Sequence, residues 1–175
     1  QGIDWFKDRK VRFQKSAYLG LRLAALLESY VNDSLNWHAR LSEMINGTRI
    51  SDQFSIGDLE EFPDDPEGWS LLPKEIAGRV QNFRLNLIVK SRDLQYLMDH
   101  VDPHSIATDY RDACIEMSMD AWILAGQIRE HFGLPAYGKV NAKDPNVRTG
   151  VFLENEANRI AQKNNALGII EGADC

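Results

Sequence analysis

An unbroken hydrophobic repeat over the first 46 residues constrains the fold of this chain more than any other feature. Its apolar or small positions recur at alternating steps of four and three residues, and no proline occurs before residue 63. Such spacing, with a mean of about 3.5 residues, is typical of a helix packed in a left-handed bundle. Asn46-Gly47 then supplies a helix stop, since glycine adopts the left-handed conformation without steric cost. The pattern predicts a helix over residues 3–46, roughly 65 Å long. Its seam consists of Phe13, Ala17, Gly20, Ala24, Leu27, Val31, Ser34, His38, Leu41 and Ile45.

Three further helices are predicted from apolar residues that recur at helical spacing, over residues 73–101, 104–132 and 145–166. The short connection at Pro103 makes the first two of these antiparallel neighbours. A chain of 175 residues with this pattern is most simply one domain, residues 1–175. We therefore predict an all-α, up-and-down bundle of about four helices, with one very long N-terminal helix and a long acidic loop.

That loop, residues 47–72, interrupts the helical pattern with Pro63, Pro66 and Gly68. A weak capping pattern at residues 55–58 predicts a helical turn over 56–62, and residues 65–68 have the composition of a turn. Five apolar residues predict that the loop folds down onto the bundle. They are Phe54, Leu59, Phe62, Trp69 and Leu71.

Charge is unevenly distributed along the chain. The net charge of −6 makes nucleic acid an unexpected partner, because nucleic-acid binding needs a basic surface. Residues 52–67 carry seven acidic and no basic residues, whereas the start of the chain is basic. Both segments are interpreted either as solvated surfaces or as partner surfaces. The basic cluster consists of Lys7, Arg9, Lys10, Arg12 and Lys15.

Trp5 and Phe6 directly precede this basic cluster. Aromatic residues followed by Lys and Arg are typical of the cytoplasmic flank of a membrane helix. One hypothesis is therefore that the chain is the cytoplasmic part of a protein anchored to the inner membrane by a segment before residue 1. The alternative is a soluble protein from which a tag has been trimmed.

No motif in the sequence indicates catalysis, a metal or a cofactor. There is neither a nucleophile elbow nor a phosphate-binding glycine loop, and Cys114 and Cys175 have no metal-ligand spacing. His100 and His104 are four residues apart, but Pro103 interrupts the helix between them. We predict no catalytic residues, no metal and no cofactor, which favours a protein that is not an enzyme.

Three polar residues are candidates for a ligand site. His38 falls on the seam of the first helix, and Glu116 and Asp120 flank the apolar stripe of the third. One interpretation is an acid–base or ligand-binding group with shifted pKa values. The other is a hydrogen-bonded seam residue at His38 that sets helix register. Trp122, which lies off the main stripe, is interpreted as core packing or as a partner contact.

Three stretches carry a resemblance, namely residues 17–30, residues 63–69, and residues 121–129 together with Phe132-Gly133-Leu134-Pro135. In order and spacing they resemble a loose group of uncharacterised bacterial helical proteins with a short N-terminal membrane segment. The resemblance implies a bacterial source and a membrane anchor, and it implies no activity.

These observations favour a non-enzymatic interaction or scaffold module on the cytoplasmic side of a bacterial membrane. A protein partner or self-association is expected, together with membrane-surface contact through the N-terminus. The alternatives are a bundle that senses a small ligand and an unrecognised hydrolase or effector. A polar cavity with converging side chains would favour the ligand-sensing bundle.

Overall fold

The computed structural model describes residues 2–47, 53–137 and 145–171, with side chains for 7–47, 53–137 and 148–166. These residues form five helices and no strand, which confirms the all-α prediction. The three long helices after the loop begin and end within a few residues of their predicted bounds. The helices are α1 (Gly2–Ile45), α2 (Pro66–Leu71), α3 (Lys74–Met98), α4 (Pro103–His131) and α5 (Pro145–Glu171).

The core forms mainly between α1 and α4. The seam predicted for α1 is buried at most positions from Gly20 to Leu41, with His38 only partly buried. A second buried row, which includes Leu19, Leu23 and Tyr30, lies beside it. At Gly20 a β-carbon would lie 2.5 Å from the ring of Phe132. Glycine is therefore what allows α1 and the end of α4 to approach this closely.

Residues 53–65 run extended along α1 instead of forming the helical turn predicted over 56–62. The Tyr30 hydroxyl donates to the carbonyl of Ile56 at 2.9 Å, and the amide of Asp58 donates to the Asp33 carboxylate at 2.9 Å. Gly57, with φ +97°, interrupts any helical run. Side chains of α1 thus satisfy backbone groups that a helix would have bonded internally. Four of the five predicted residues, Phe54, Leu59, Phe62 and Trp69, pack against the core, and Ile56 is buried beside them, so the loop folds onto the bundle as predicted.

The short helix α2 begins where the sequence predicted only a turn. The Asp65 carboxylate accepts from the amide of Gly68 at 2.9 Å, and Pro66 occupies the first helical turn. An acidic N-cap followed by proline is a favourable helix start. Lys15 of α1 pairs with Glu67 at 2.7 Å, which ties α2 to the basic end of α1.

Helices α3 and α4 form the predicted antiparallel pair. Residue numbers along α3 decrease as those along α4 increase: Tyr110 contacts Met98, Glu116 contacts Lys90, and Gln127 contacts Arg79. Asp102 caps α4 by accepting from two backbone amides at 3.1 and 3.0 Å. Helix α5 packs on α4 and contributes the buried side chains of Leu153 and Ile160.

No helix in the described part of the chain is long and apolar enough to cross a membrane.

Cys114 is buried, and burial raises the pKa of its thiol to about 12. The thiol is therefore protonated and unreactive at neutral pH.

Candidate functional site

The basic cluster lies on a protruding end of α1. Every described side chain from Lys7 to Lys15 is exposed. Phe13 nevertheless contacts the core residue Phe132, with ring centroids 6.0 Å apart, and Ser16 is the first buried residue of α1. Lys15 is paired with Glu67, whereas Lys7, Lys10 and Arg12 form no ion pair with any described residue. Their charges are therefore available to a partner.

Apolar side chains are interleaved with these charges on the face of α1 that points away from the core. We call this surface the basic face. The exposed fractions of Val11, Tyr18 and Leu21 are 47%, 61% and 39%. The Arg22 guanidinium lies over the Tyr18 ring at 5.8 Å. A helix face of this composition fits the boundary of an anionic surface. The basic face consists of Lys7, Lys10, Val11, Tyr18, Leu21 and Arg22.

His38 lies against α5. Its Nε2 atom is 3.9 Å from Glu156 Oε2, is buried, and has no hydrogen-bond partner among the described residues. Phe152 packs edge-on against the imidazole at 5.6 Å. Burial lowers the His38 pKa, Glu156 and Asp112 oppose this, and Arg111 and Arg159 reinforce it.

Stability is expected to fall at mildly acidic pH because of His38. Its pKa is below the ordinary 6.5 when folded, so the unfolded chain binds the proton more readily. The free energy of unfolding should therefore decrease as pH falls from about 6.5 towards the folded-state pKa. His38→Leu should remove this loss in urea titrations at pH 5 to 7.5, the range chosen from the unperturbed histidine pKa.

At neutral pH the same variant should be as stable as the parent or more so, because the buried Nε2 atom makes no hydrogen bond that leucine would lose. His104→Gln, at an exposed histidine, is the control and should keep the acid-dependent loss. An unchanged pH profile for His38→Leu would show that another group causes the effect.

Glu116 and Asp120 face α3, and both are exposed instead of facing the core. Glu116 pairs with Lys90 at 2.9 Å. Partial burial and the neighbouring Glu116 raise the pKa of Asp120, while Arg79 opposes them. His38 makes its described contacts with α5, so the structure does not join the three predicted candidates in one pocket. The rotation of each helix about its own axis keeps these groups apart, because the two carboxylates face α3 whereas His38 faces α5.

A buried ion pair between α1 and α4 was not predicted. Arg129 donates to both carboxylate oxygens of Glu28, at 2.6 and 2.8 Å, and the two side chains are 11% and 4% exposed. Arg129 also donates to the Pro135 carbonyl at 3.1 Å and lies over the Tyr137 ring at 5.5 Å. One signal was present in the sequence, since Glu28 lies four residues after Ala24 of the seam.

This ion pair borders a groove of about 760 Å³, which we call the Trp122 groove. Trp122 and Tyr137 meet edge to face, with ring centroids 6.2 Å apart. Trp122 packs against the core, as one interpretation of this residue predicted, and it also lines the groove. The described lining consists of Glu28, Trp122, Ile123, Gly126, Gln127, Arg129, Glu130, Leu134, Ala136, Tyr137 and Gly150.

Comparisons with protein-family models, with curated proteins and with solved structures find no match to this chain. Within the described residues, no three His, Cys, Asp or Glu side chains are grouped so that they would hold a metal ion. The basic face and the Trp122 groove are the two candidate functional surfaces of the described residues.

Proposed function

We propose that this chain is a non-enzymatic helical interaction module that contacts an anionic membrane surface through the basic face of α1. The observation that carries the proposal is the exposure of Lys7, Lys10 and Arg22 on the face of α1 that points away from the core. The cytoplasmic leaflet of a bacterial membrane is the proposed location, because it presents anionic lipid. The resemblance to membrane-associated bacterial proteins supports the same location.

The chemistry of the basic face supports lipid over a purely charged partner. Val11, Tyr18 and Leu21 are exposed beside the cationic side chains, and apolar groups contribute to binding when they enter the headgroup region. The acidic segment continues away from this end of α1, from Glu67 back to Asp58 beside Asp33. Negative charge therefore does not cover the basic face.

Self-association remains part of the proposal. Helix α3 exposes an apolar stripe at helical spacing, formed by Leu85, Ile88, Val89 and Tyr96, with exposed fractions between 45% and 68%. Exposed apolar patches of this kind are typical of interaction surfaces.

Neutralising the basic face is expected to weaken membrane binding strongly. Each cationic side chain near an anionic surface contributes about 1 kcal/mol, so Lys7→Gln, Lys10→Gln and Arg22→Gln together should weaken binding roughly 100-fold. The measurement is cosedimentation with vesicles of phosphatidylcholine and phosphatidylglycerol. Binding of the parent chain should also weaken as salt is raised, because the screening length shortens.

The matched control removes three positive charges elsewhere, through Lys74→Gln, Arg92→Gln and Arg148→Gln, all exposed in the structure. It gives the same net charge and should bind almost as the parent does. Equal weakening by both triple variants would show that net charge alone governs binding. No binding by the parent to anionic vesicles would overturn the proposal.

A further inference from the structure

The Trp122 groove has the size and lining of a small-molecule site. Its volume of about 760 Å³ is within the range usual for ligand pockets, roughly 300–1,000 Å³. Trp122 and Tyr137 form two walls at an interplanar angle of 73°. Leu134 and Ile123 extend the apolar lining. Such pockets combine apolar walls with a few placed polar groups.

The charges that line the groove favour a cation. Glu28 and Arg129 neutralise each other in a bidentate pair. Glu130 is exposed, and it forms no ion pair with any residue in the described part of the chain. Among the described lining residues, one carboxylate thus remains without a counter-charge. Arg129 already lies over the Tyr137 ring, so the ring offered to a further cation is that of Trp122. Aromatic walls with a nearby carboxylate are the usual means of binding an organic ammonium group.

Gly126 leaves the groove open. It lies in the middle of α4, and no atom lies within 4 Å of the position its β-carbon would take. Packing therefore does not require glycine there, although glycine within a helix costs about 1 kcal/mol relative to alanine. Gly78 of α3 also has open space around it, so the glycine supports the inference only together with the aromatic walls and Glu130.

We propose that the Trp122 groove binds a small organic cation, with an ammonium group beside Trp122 and Glu130 and an apolar body against Leu134 and Ile123. This site goes beyond the proposed membrane contact, since it lies between α4 and α5 and shares no residue with the basic face. It also differs from the pocket predicted around His38, Glu116 and Asp120, because none of these residues lines it.

The test uses three probes of similar size and different charge: benzyltrimethylammonium, benzyl alcohol and benzoate. Each is titrated into the ¹⁵N-labelled chain, and the Trp122 indole and Gly126 amide signals are followed. The cation should give saturable shifts at the groove, with a Kd roughly tenfold below that of either other probe. Equal binding of all three probes, or no saturable shift at the groove, would overturn the proposal.

Two variants locate the site. Gly126→Leu fills the groove from an uncrowded helical position and should abolish cation binding, whereas the matched Gly78→Leu on α3 should leave it unchanged. Glu130→Gln changes one exposed side chain and should weaken binding of the cation about fivefold but not that of benzyl alcohol. Unchanged cation affinity in Glu130→Gln contradicts the proposal even if Gly126→Leu fails to fold.

Discussion

Replacing Glu28 with alanine is expected to lower the free energy of unfolding by about 3 kcal/mol, because it leaves the largely buried Arg129 guanidinium without its counter-charge. Glu28 accepts both hydrogen bonds of a bidentate pair, and Arg129 is only 11% exposed. Arg129 also holds the Pro135 carbonyl and lies over Tyr137, so the segment after α4 should loosen with it. Urea unfolding followed by circular dichroism measures the loss.

The Lys15–Glu67 pair provides the matched control. It also joins a cation to a glutamate, through one ammonium contact at 2.7 Å, but its side chains are 48% and 63% exposed. Exposed pairs contribute at most about 1 kcal/mol, so Glu67→Ala should cost far less than Glu28→Ala. The double replacement Glu28→Leu with Arg129→Met should recover most of the lost stability, because it removes both charges. Equal costs for the two alanine variants would mean that burial does not set the strength of the Glu28 pair.

Replacing Gly57 with alanine is expected to lower the free energy of unfolding by about 4 kcal/mol, from left-handed backbone strain and overpacking together. The residue has φ +97°, and a β-carbon there would lie 2.9 Å from the Cα atom of Ser34. The β-carbon would press on the backbone of Ser34, which is held within α1, so residues 53–65 should separate from α1. Urea unfolding measures the stability, and limited proteolysis measures exposure of the segment.

Gly133→Ala separates the two causes. Gly133 also has positive φ, at +63°, but nothing lies within 4 Å of its β-carbon position. Only the backbone strain of about 1–2 kcal/mol is then expected. A Gly57→Ala variant no less stable than Gly133→Ala would show that residues 53–65 do not pack closely on α1.

Elements that form through interactions between residues close in sequence were predicted correctly, whereas elements that depend on distant residues were not. The bounds of α1, α3 and α4 depend on hydrophobic spacing and on local caps such as Asp102, which short stretches of sequence contain. The segment around Ile56 was predicted as helix because its local capping pattern permits one. Its extended form instead depends on Tyr30 and Asp33, more than twenty residues away, whose hydrogen bonds local pattern does not show.

The candidate sites divide in the same way. The basic cluster was identified from composition, and the structure shows that all of its side chains are exposed. Glu28 was overlooked because a carboxylate next to a seam normally faces solvent, and its partner Arg129 is 101 residues away. Glu116 and Asp120 were grouped with His38 because helical periodicity places residues relative to a core. It does not specify which neighbouring helix each residue meets.

By itself, the sequence determined that the described chain is helical, approximately where the long helices begin and end, and that one end of α1 is basic. The physical reason is that periodicity and caps act within a few turns of one helix. Only the tertiary structure decided the extended path of residues 53–65, the burial of Glu28 with Arg129, and the Trp122 groove. Each of these depends on the rotation of one helix against another, which is set by close packing between residues far apart in the chain.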